Sequence, residues 1–439
     1  MKLNTRRTLW VGLAFMSICA FWQVYDSIVP LILKNTFDLS DDIAGVIMAL
    51  DNVLALILLP VFGALSDRTN TRIGKRMPYI LIGTVCACVF AIIAPVADRM
   101  RSLAVFCVSI GGSLLSMAVY RSPAVALMPD VTPKPLRSKA NAVINLTGTV
   151  GGILMLAAIA LLVPKGDHPN YMGLYIFLVV FMLVCIALLY VKVKEPKLVA
   201  LAEEESRALG VADEPEEVEE SGGRKMDKKV RRSFLFMLAS IFLWFMGYNA
   251  ITTAFSKYAT VYWGLEGGAF AYTLIIAQAA AVIAYIPVGL LATRFGRKKT
   301  ILCGVALLAI AFGSCVFFKT FGGIIFFFFI LAGFGWAAIN VNSFPMVVEM
   351  SRGADIGKYT GYYYTASQAA QIITPILSGV VLEYGYLLLD RSNPDAGYVF
   401  LFPYGAFFVI LSFITMLFVR YGDSKTGVKT GLEAFDVED

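Results

Sequence analysis

Apolar runs of about 20 residues recur from one end of this chain to the other, and they restrict its fold more than any other feature. A helix of that length crosses the hydrocarbon core of a bilayer, which is about 30 Å thick. Inside that core every backbone N–H and C=O needs a partner within the protein, a condition that a helix meets by itself. Of the 439 residues, 58% are hydrophobic and 15% are charged, whereas a soluble domain carries about 25% charge. The sequence therefore predicts an all-α membrane protein.

Hydropathy and loop chemistry divide the chain into twelve predicted spans. They cover residues 8–34, 42–66, 78–98, 102–128, 139–163, 172–192, 233–262, 269–293, 300–319, 321–349, 360–385 and 397–420. The first run is too long for a signal peptide and lacks a small-residue cleavage site, so we expect it to remain as span one. The predicted organisation is a six-helix N-terminal half (1–192), a cytoplasmic linker (193–232), a six-helix C-terminal half (233–420) and a cytoplasmic tail (421–439).

Basic residues are distributed unevenly among the loops. With the N-terminus inside, the inside segments hold most of the 37 Lys and Arg residues, even when the linker is left out. The positive-inside rule then predicts a multi-pass protein of the cell (inner, cytoplasmic) membrane with both termini in the cytoplasm. The linker is first acidic ("DEPEEVEE") and then basic ("GGRKMDKKVRR"), which is typical of a solvated segment. An interaction or regulatory site in the linker is the alternative.

Two loops of similar composition follow spans two and eight. They read "GALSDRTNTRIGKRMP" and "GLLATRFGRKKT". Glycine permits close helix approach, and the charges can pair with helix ends. A loop repeated at the same place in each half predicts two repeats that rock against one another, with these loops as conformational latches. The candidate latch residues are Gly63, Asp67, Arg68, Arg72, Gly74, Lys75, Arg76, Gly289, Arg294, Gly296, Arg297 and Lys298, together with Glu349 at the end of span ten. We expect Glu349 to form a charge network with Arg352 and Lys358.

Twelve spans, a central linker and the doubled loop resemble the major facilitator superfamily. The stretches "SDRTNTRIGKRMPYI" and "RSPAVALMPDVTPKPLRSKANAVINLTGTVGG" are similar to the glycoside–pentoside–hexuronide:cation symporters and to sucrose-type transporters. The resemblance implies the major facilitator fold, with two pseudo-symmetric six-helix halves and a central cavity lined by spans one, four, seven and ten. It also implies transport of a small solute.

The resemblance to melibiose permeases is partial at their functional positions. Arg121 stands where those proteins have a sugar-binding aspartate, and Val125 where they have a tryptophan that stacks on the sugar. Their cation-binding aspartates of span two correspond to Ala55 and Leu59. Sodium coupling by the melibiose mechanism is therefore not expected here.

Three ionisable residues are clear cases of charges inside predicted spans: Asp26 in span one, Asp51 in span two and Arg121 in span four. Intramembrane charges are costly and mark functional sites by default. We predict that the three couple transport to protons, with Arg121 as counter-ion of a carboxylate that binds and releases a proton. Alternatively, Arg121 anchors an anionic substrate through a bidentate contact, or has a purely structural role. The rise per residue places Asp51 in the outer half of the membrane and Arg121 nearer the inner side. A direct pair between the two is therefore not predicted.

Aromatic and amide side chains on the predicted cavity spans suit a polyol, because sugar faces stack on aromatic rings and hydroxyls need donors and acceptors. Packing of helix against helix is the alternative for each of them. The candidate substrate-binding residues are Trp22, Gln23, Asp26, Arg121, Trp244, Tyr248, Asn249, Trp336, Asn340, Gln368 and Gln371.

The sequence contains no Walker-type nucleotide motif, and no metal-ligand cluster or nucleophile–base pair that would indicate an enzyme. We therefore expect a secondary active transporter, without a cofactor or bound metal, that moves a sugar or glycoside with protons by alternating access. Uptake of a hexuronide or other organic anion on Arg121, proton-driven efflux of an amphiphile, and a transporter-like solute sensor are the alternatives. The expected partners are the solute, protons and the lipid bilayer, but no nucleic acid, and we expect a monomer.

Overall fold

The computed structural model describes residues 3–133, 136–166, 168–208, 228–350 and 356–421. Nearly all of these residues are helical because each apolar run can satisfy its backbone only as a helix. The helices are α1 (Thr5–Asn35), α2 (Asp41–Arg68), α3 (Met77–Arg99), α4 (Leu103–Asp130), α5 (Arg137–Leu162), α6 (Met172–Lys192), α7 (Glu195–Ala208), α8 (Lys228–Val261), α9 (Ala271–Phe295), α10 (Arg297–Cys315), α11 (Ile324–Glu349), α12 (Ile356–Tyr384), α13 (Tyr386–Leu389) and α14 (Leu401–Leu417).

Twelve helical segments in the described ranges are long and apolar enough to cross a membrane, and each coincides with a predicted span. The predicted all-α fold with twelve transmembrane helices is confirmed. Some ends differ from the prediction. Helix α8 begins at Lys228 and not at 233, because the helix continues through basic residues beyond the apolar run. The predicted linker also contains a helix, α7, whereas residues 209–227 lie outside the described part of the chain.

The chain forms two compact units. The first comprises Met1–Asp38, Leu50–Glu216 and Glu266–Ala271, and the second comprises Leu39–Ala49, Glu217–Leu265 and Tyr272–Asp439. Helix α2 therefore contributes its beginning to the second unit and the remainder, which carries Asp51, to the first.

Each unit is held together by close helix packing at small residues. In the first unit a Cβ added to Gly151 of α5 would lie 2.3 Å from the backbone oxygen of Met16 on α1. In the second, a Cβ on Gly304 of α10 would lie 2.7 Å from the backbone oxygen of Gly335 on α11. In lipid such contacts stabilise helix pairs because the backbones approach closely.

Candidate functional site

The three predicted intramembrane charges lie together in the first unit. Trp22, Asp51 and Arg121 line one cavity, which also contains Ala55 and Leu59. Arg121 interacts electrostatically with both Asp51 and Asp26. Helix α2 thus presents Asp51 to the same space as Arg121 of α4, although the residue count along the two spans gives them different depths. The structure brings the candidate proton-coupling residues into one group.

Arg121 lies against an aromatic ring in this group. Its guanidinium carbon is 5.8 Å from the centroid of the Trp22 ring, a cation–π distance. Within the described part of the chain, no ion pair within 4.0 Å joins Arg121 to either carboxylate. The Trp22 indole nitrogen is buried and has no hydrogen-bond partner among the described residues. The guanidinium and the indole N–H are therefore donors that a ligand can use.

Asp51 is held by the residue that follows it. The backbone N–H and the side-chain amide of Asn52 both donate to Asp51 Oδ1 at 2.6 Å. These bonds fix one carboxylate oxygen and leave the other to the cavity. Sequence reasoning missed Asn52, although an amide beside an intramembrane carboxylate is a visible signal.

A second group of candidate residues lies in the second unit, on helices α8 and α11. The rings of Tyr248 and Trp336 stack with centroids 3.7 Å apart and planes 7° apart, and Phe245 meets Trp336 edge-on at 5.5 Å. Asn249 Nδ2 is buried without a hydrogen-bond partner among the described residues, and so is Gln368 Oε1 of α12. An aromatic platform with unpartnered amide atoms has the chemistry that recognises a hydroxylated ring.

The other candidate substrate residues are tied to the protein itself. Gln23 Nε2 donates to Ser27 Oγ at 3.2 Å, and Gln371 Nε2 donates to the carbonyl of Ser367 at 3.4 Å, each within its own helix. Trp244 is fully buried, although its indole nitrogen lacks a partner in the described ranges. Asn340 is exposed and hydrogen-bonds to Tyr285 of α9. Tyr285 was not predicted because it lies in span eight, which is not among the cavity-lining spans that the resemblance implies.

The candidate latch loop between α2 and α3 is organised around Arg76, whose side chain is buried. Its Nε donates to Asp130 Oδ2 at 2.8 Å, and its other nitrogens donate to Asp67 Oδ1 and Ser66 Oγ. Burial alone would lower the pKa of Arg76, but the hydrogen bonds and charges of Asp130 and Asp67 raise it above its ordinary value. Lys75 Nζ lies 3.4 Å from the same Asp130 carboxylate. The loop is thus a charge network of the first unit, with the buried Arg76 at its centre and Asp67 exposed at its edge.

Glu195, the first residue of α7, completes this network and was not predicted. Its carboxylate accepts hydrogen bonds from the backbone N–H groups of Lys75, Arg76 and Met77 at 2.8, 2.9 and 2.9 Å. It therefore caps the N-terminus of α3, where a negative charge is favourable. Gly74 has φ +119°, and a Cβ there would lie 2.2 Å from Glu195 Oε2. The signal in the sequence is a lone acid that follows the basic end of span six.

The corresponding loop between α9 and α10 is held by contacts to neighbouring helices. Arg297 forms an ion pair with Glu349, and Lys298 Nζ donates to the carbonyl of Leu417 at 3.0 Å. Gly296 has φ +92° and separates the two helices. Arg294 lies over the ring of Phe295 at 5.3 Å.

The remaining latch predictions have varied outcomes. Gly63 accepts a long 3.4 Å contact from Arg76 through its carbonyl, whereas Arg68 and Arg72 are exposed and Gly289 is a buried position of α9. Arg352, the side chain of Lys358 and residues 422–439 of the tail lie outside the described residues.

A further charge within a predicted span, Lys257 in α8, was not among the predicted site residues. Lys257 Nζ contacts Asp41 Oδ1 at the start of α2, and the two side chains are only 6% and 3% exposed. The backbone N–H of Asp41 donates to Glu383 Oε2 of α12 at 2.6 Å. These residues all belong to the second unit. Lys257 was missed because it lies near the outer end of its predicted span, where a basic residue is assigned to the adjacent loop.

Twelve helices of the described residues are long and apolar enough to cross a membrane, which defines the class of multi-pass membrane proteins. The chain belongs to the Major Facilitator Superfamily, whose family model matches residues 11–282 and 258–436. This agrees with the resemblance seen in the sequence.

Individual relatives support the same assignment. One relative is YagG of Escherichia coli (strain K12), a protein named as a glycoside/cation symporter. It is 27% identical to this chain over 180 residues, which are 39% of this chain and 39% of that protein. This match supports the glycoside–pentoside–hexuronide:cation symporter branch. The match spans well under half of either protein.

Among solved structures, a D-xylose–proton symporter has a TM-score of 0.68 at 17% identity and covers 95% of this chain and 98% of its own. A point mutant of the nucleoside transporter NupG has a TM-score of 0.67 at 15% identity, with 95% and 100% covered. At these identities the likeness concerns the fold alone.

Proposed function

We propose that this protein is a proton-coupled symporter that takes up a sugar or glycoside by alternating access across the cell membrane, with both termini in the cytoplasm. The observation that carries the proposal is that Asp51 and Arg121 line one cavity with Trp22, and that Arg121 interacts electrostatically with Asp26 as well. A named glycoside/cation symporter among the relatives and a D-xylose–proton symporter of the same fold are consistent with it.

Charge balance favours a proton at this group. Two ionised carboxylates beside one guanidinium leave one excess negative charge, which is costly in a medium of low dielectric constant. Binding of one proton removes that excess. The charge of the group then depends on its protonation, and a conformational step that buries the group is easier in the neutral form.

Sodium is a poorer candidate for the coupling ion. Hard cations need several oxygen ligands, but the positions that carry cation-binding aspartates in melibiose permeases are Ala55 and Leu59 here. Both line the cavity beside Asp51 and offer it only apolar surface. A proton needs a single carboxylate.

A neutral sugar is favoured by the aromatic and amide side chains of the second unit. The stacked Tyr248 and Trp336 rings provide an apolar face, and Asn249 and Gln368 contribute buried polar atoms without protein partners among the described residues. A ligand whose hydroxyls form hydrogen bonds with these atoms binds much more tightly than an analogue that leaves them without a partner.

A second candidate is uptake of a hexuronide or another organic anion. The observation in its favour is that no carboxylate of the described residues lies within 4.0 Å of the Arg121 guanidinium. A substrate carboxylate could then form the bidentate contact that arginine prefers.

The test is transport by the purified protein in liposomes, preceded by a thermal-stabilisation screen of neutral glycosides, hexuronides and amphiphiles. The symport proposal expects stabilisation by a neutral glycoside and its accumulation under an inward proton gradient, with accumulation lost in Asp26→Asn or Asp51→Asn and retained in the exposed control Asp390→Asn. Stabilisation by hexuronides alone, lost in Arg121→Gln, would favour the anion carrier. A response to amphiphiles alone would refute sugar uptake.

A further inference from the structure

A second small cavity lies within the first unit, between helices α1, α3, α4 and α6. Its lining is mostly apolar, but Tyr25, Ser113 and Tyr175 contribute hydroxyl groups. Its volume of about 10 Å³ has room for roughly one water molecule. A cavity of this size with several polar partners binds a water, whereas an apolar cavity stays dry.

Tyr25 connects this cavity to the charged group. Its side chain is 3% exposed, and its hydroxyl has no hydrogen-bond partner among the described residues. It interacts electrostatically with Asp26 and Asp51 and also with Tyr175. A water in the cavity would satisfy the hydroxyl of Tyr25 and link it to its neighbours.

From Tyr175 a series of ionisable groups continues to the end of the unit. Tyr175 and Tyr171 are four residues apart, at the start of α6, and both interact electrostatically with Asp98 in the last turn of α3. Asp98 is nearly buried and accepts a hydrogen bond from Thr36 Oγ1 at 2.5 Å. It also interacts with the exposed His168 of the loop between α5 and α6.

We propose that Tyr25 and Tyr175, bridged by water in this cavity, form with Asp98 at the end of α3 the route by which protons reach Asp26 and Asp51 from the outer end of the first unit. The route rests on the proposed function, because it serves the proton-coupling group. Tyrosine hydroxyls and water each donate and accept a hydrogen bond. Each hydroxyl therefore receives a proton on one side and passes its own proton on, so that the net change is one proton bound by a carboxylate.

The route assigns a role to Tyr25, Tyr175 and Asp98 that is separate from solute binding. Arg121 and Asp51 line the cavity beside Trp22, whereas Tyr25 and Tyr175 line the second cavity, and Tyr25 interacts electrostatically with both carboxylates. Removal of one hydroxyl interrupts the relay but leaves both carboxylates and Arg121 in place.

The experiment measures protonation directly, without any solute. The purified full-length protein in detergent is subjected to an acid jump, from about pH 9 to about pH 5. Time-resolved infrared spectroscopy then follows the C=O stretch of the protonated carboxyl, which is assigned with Asp26→Asn and Asp51→Asn. Tyr25→Phe and Tyr175→Phe are compared with Tyr404→Phe, which removes a buried hydroxyl without a described partner from the second unit.

We expect protonation to slow by about a hundredfold or more in Tyr25→Phe and Tyr175→Phe, since a positioned proton-transfer group contributes about a hundredfold to ten-thousandfold in rate. The final amplitude should stay unchanged, and Tyr404→Phe should behave as the wild type. Asp98→Asn should slow protonation to a similar extent, and a wild-type rate in this variant would remove Asp98 from the route. Equal rates in all tyrosine variants would refute the route and leave the symport proposal intact. If neither carboxylate of the wild type takes up a proton, both proposals fail. Helical circular dichroism confirms that each variant is folded.

Discussion

Removal of Lys257 should strongly destabilise the second unit, because its partner Asp41 would remain as a buried, unpaired charge. The two side chains are 6% and 3% exposed, so water cannot replace the lost partner. Breaking such a pair from one side costs about 3–5 kcal/mol. We expect a loss of this size in the free energy of unfolding of Lys257→Met, whose side chain has a similar length and no charge.

The double variant Asp41→Asn/Lys257→Met separates the burial of a charge from the attraction within the pair. Replacement of both charges by uncharged groups is often neutral or stabilising, so the double variant should lie within about 1–2 kcal/mol of the wild type. The double variant should therefore recover most of the stability that Lys257→Met loses, because no buried charge is left without a partner.

The exposed pair Lys165–Glu266 provides the control. Its atoms are 3.5 Å apart, but the side chains are 80% and 64% exposed. Lys165→Met should therefore cost only about 0–1 kcal/mol. Denaturant titration of the detergent-solubilised protein, followed by tryptophan fluorescence, measures all four proteins. Equal losses in Lys257→Met and Lys165→Met, or a double variant less stable than Lys257→Met, would refute the reasoning.

Three other contacts lead to predictions of their own. Glu195→Ala leaves three backbone N–H groups without an acceptor and should lower the free energy of unfolding by about 3 kcal/mol or more. The control Glu203→Ala, on the exposed side of α7, should change it by less than about 0.5 kcal/mol. Denaturant titration measures both variants. Gly151→Leu should reduce thermal stability markedly because its Cβ would overlap Met16; unchanged melting would contradict the packing. Trp336→Leu should weaken solute binding by about 0.5–1.5 kcal/mol through loss of a ring face. It should also lower the melting temperature of the unliganded protein, because Trp336 stacks on Tyr248. Titration calorimetry with the solute found in the screen measures the first effect, and unchanged binding by the folded variant would contradict the role of the ring.

The sequence allowed the helices and their number to be predicted because a membrane leaves the backbone few alternatives. Helix ends were less predictable, as α8 shows, since basic residues can extend a helix beyond its apolar run. The sequence predicted that Asp26, Asp51 and Arg121 act together. It did not predict the approach of Asp51 to Arg121, because that approach depends on how α2 and α4 pack, and a residue count along each span carries no information on packing.

The missed residues share a different cause. Glu195 binds backbone groups 120 positions earlier in the chain, and Lys257 pairs with Asp41 over 216 positions. Each is an ordinary charged residue in its local sequence, and only the packing of distant helices gives it a partner. Patterns of hydropathy and motif spacing report local structure, so such pairs need the three-dimensional arrangement.

The cap that Glu195 places on α3 bears on how the protein can be divided into fragments. A six-helix fragment that stops at residue 192, where the last apolar run ends, would lose the carboxylate that orders the loop beginning at Gly74. A fragment that extends through Ala208 keeps that carboxylate and the ion pair between Arg7 and Glu205. A fragment of the N-terminal unit intended for expression, or for exchange with that of another transporter, should therefore end after α7 and not at the edge of the membrane.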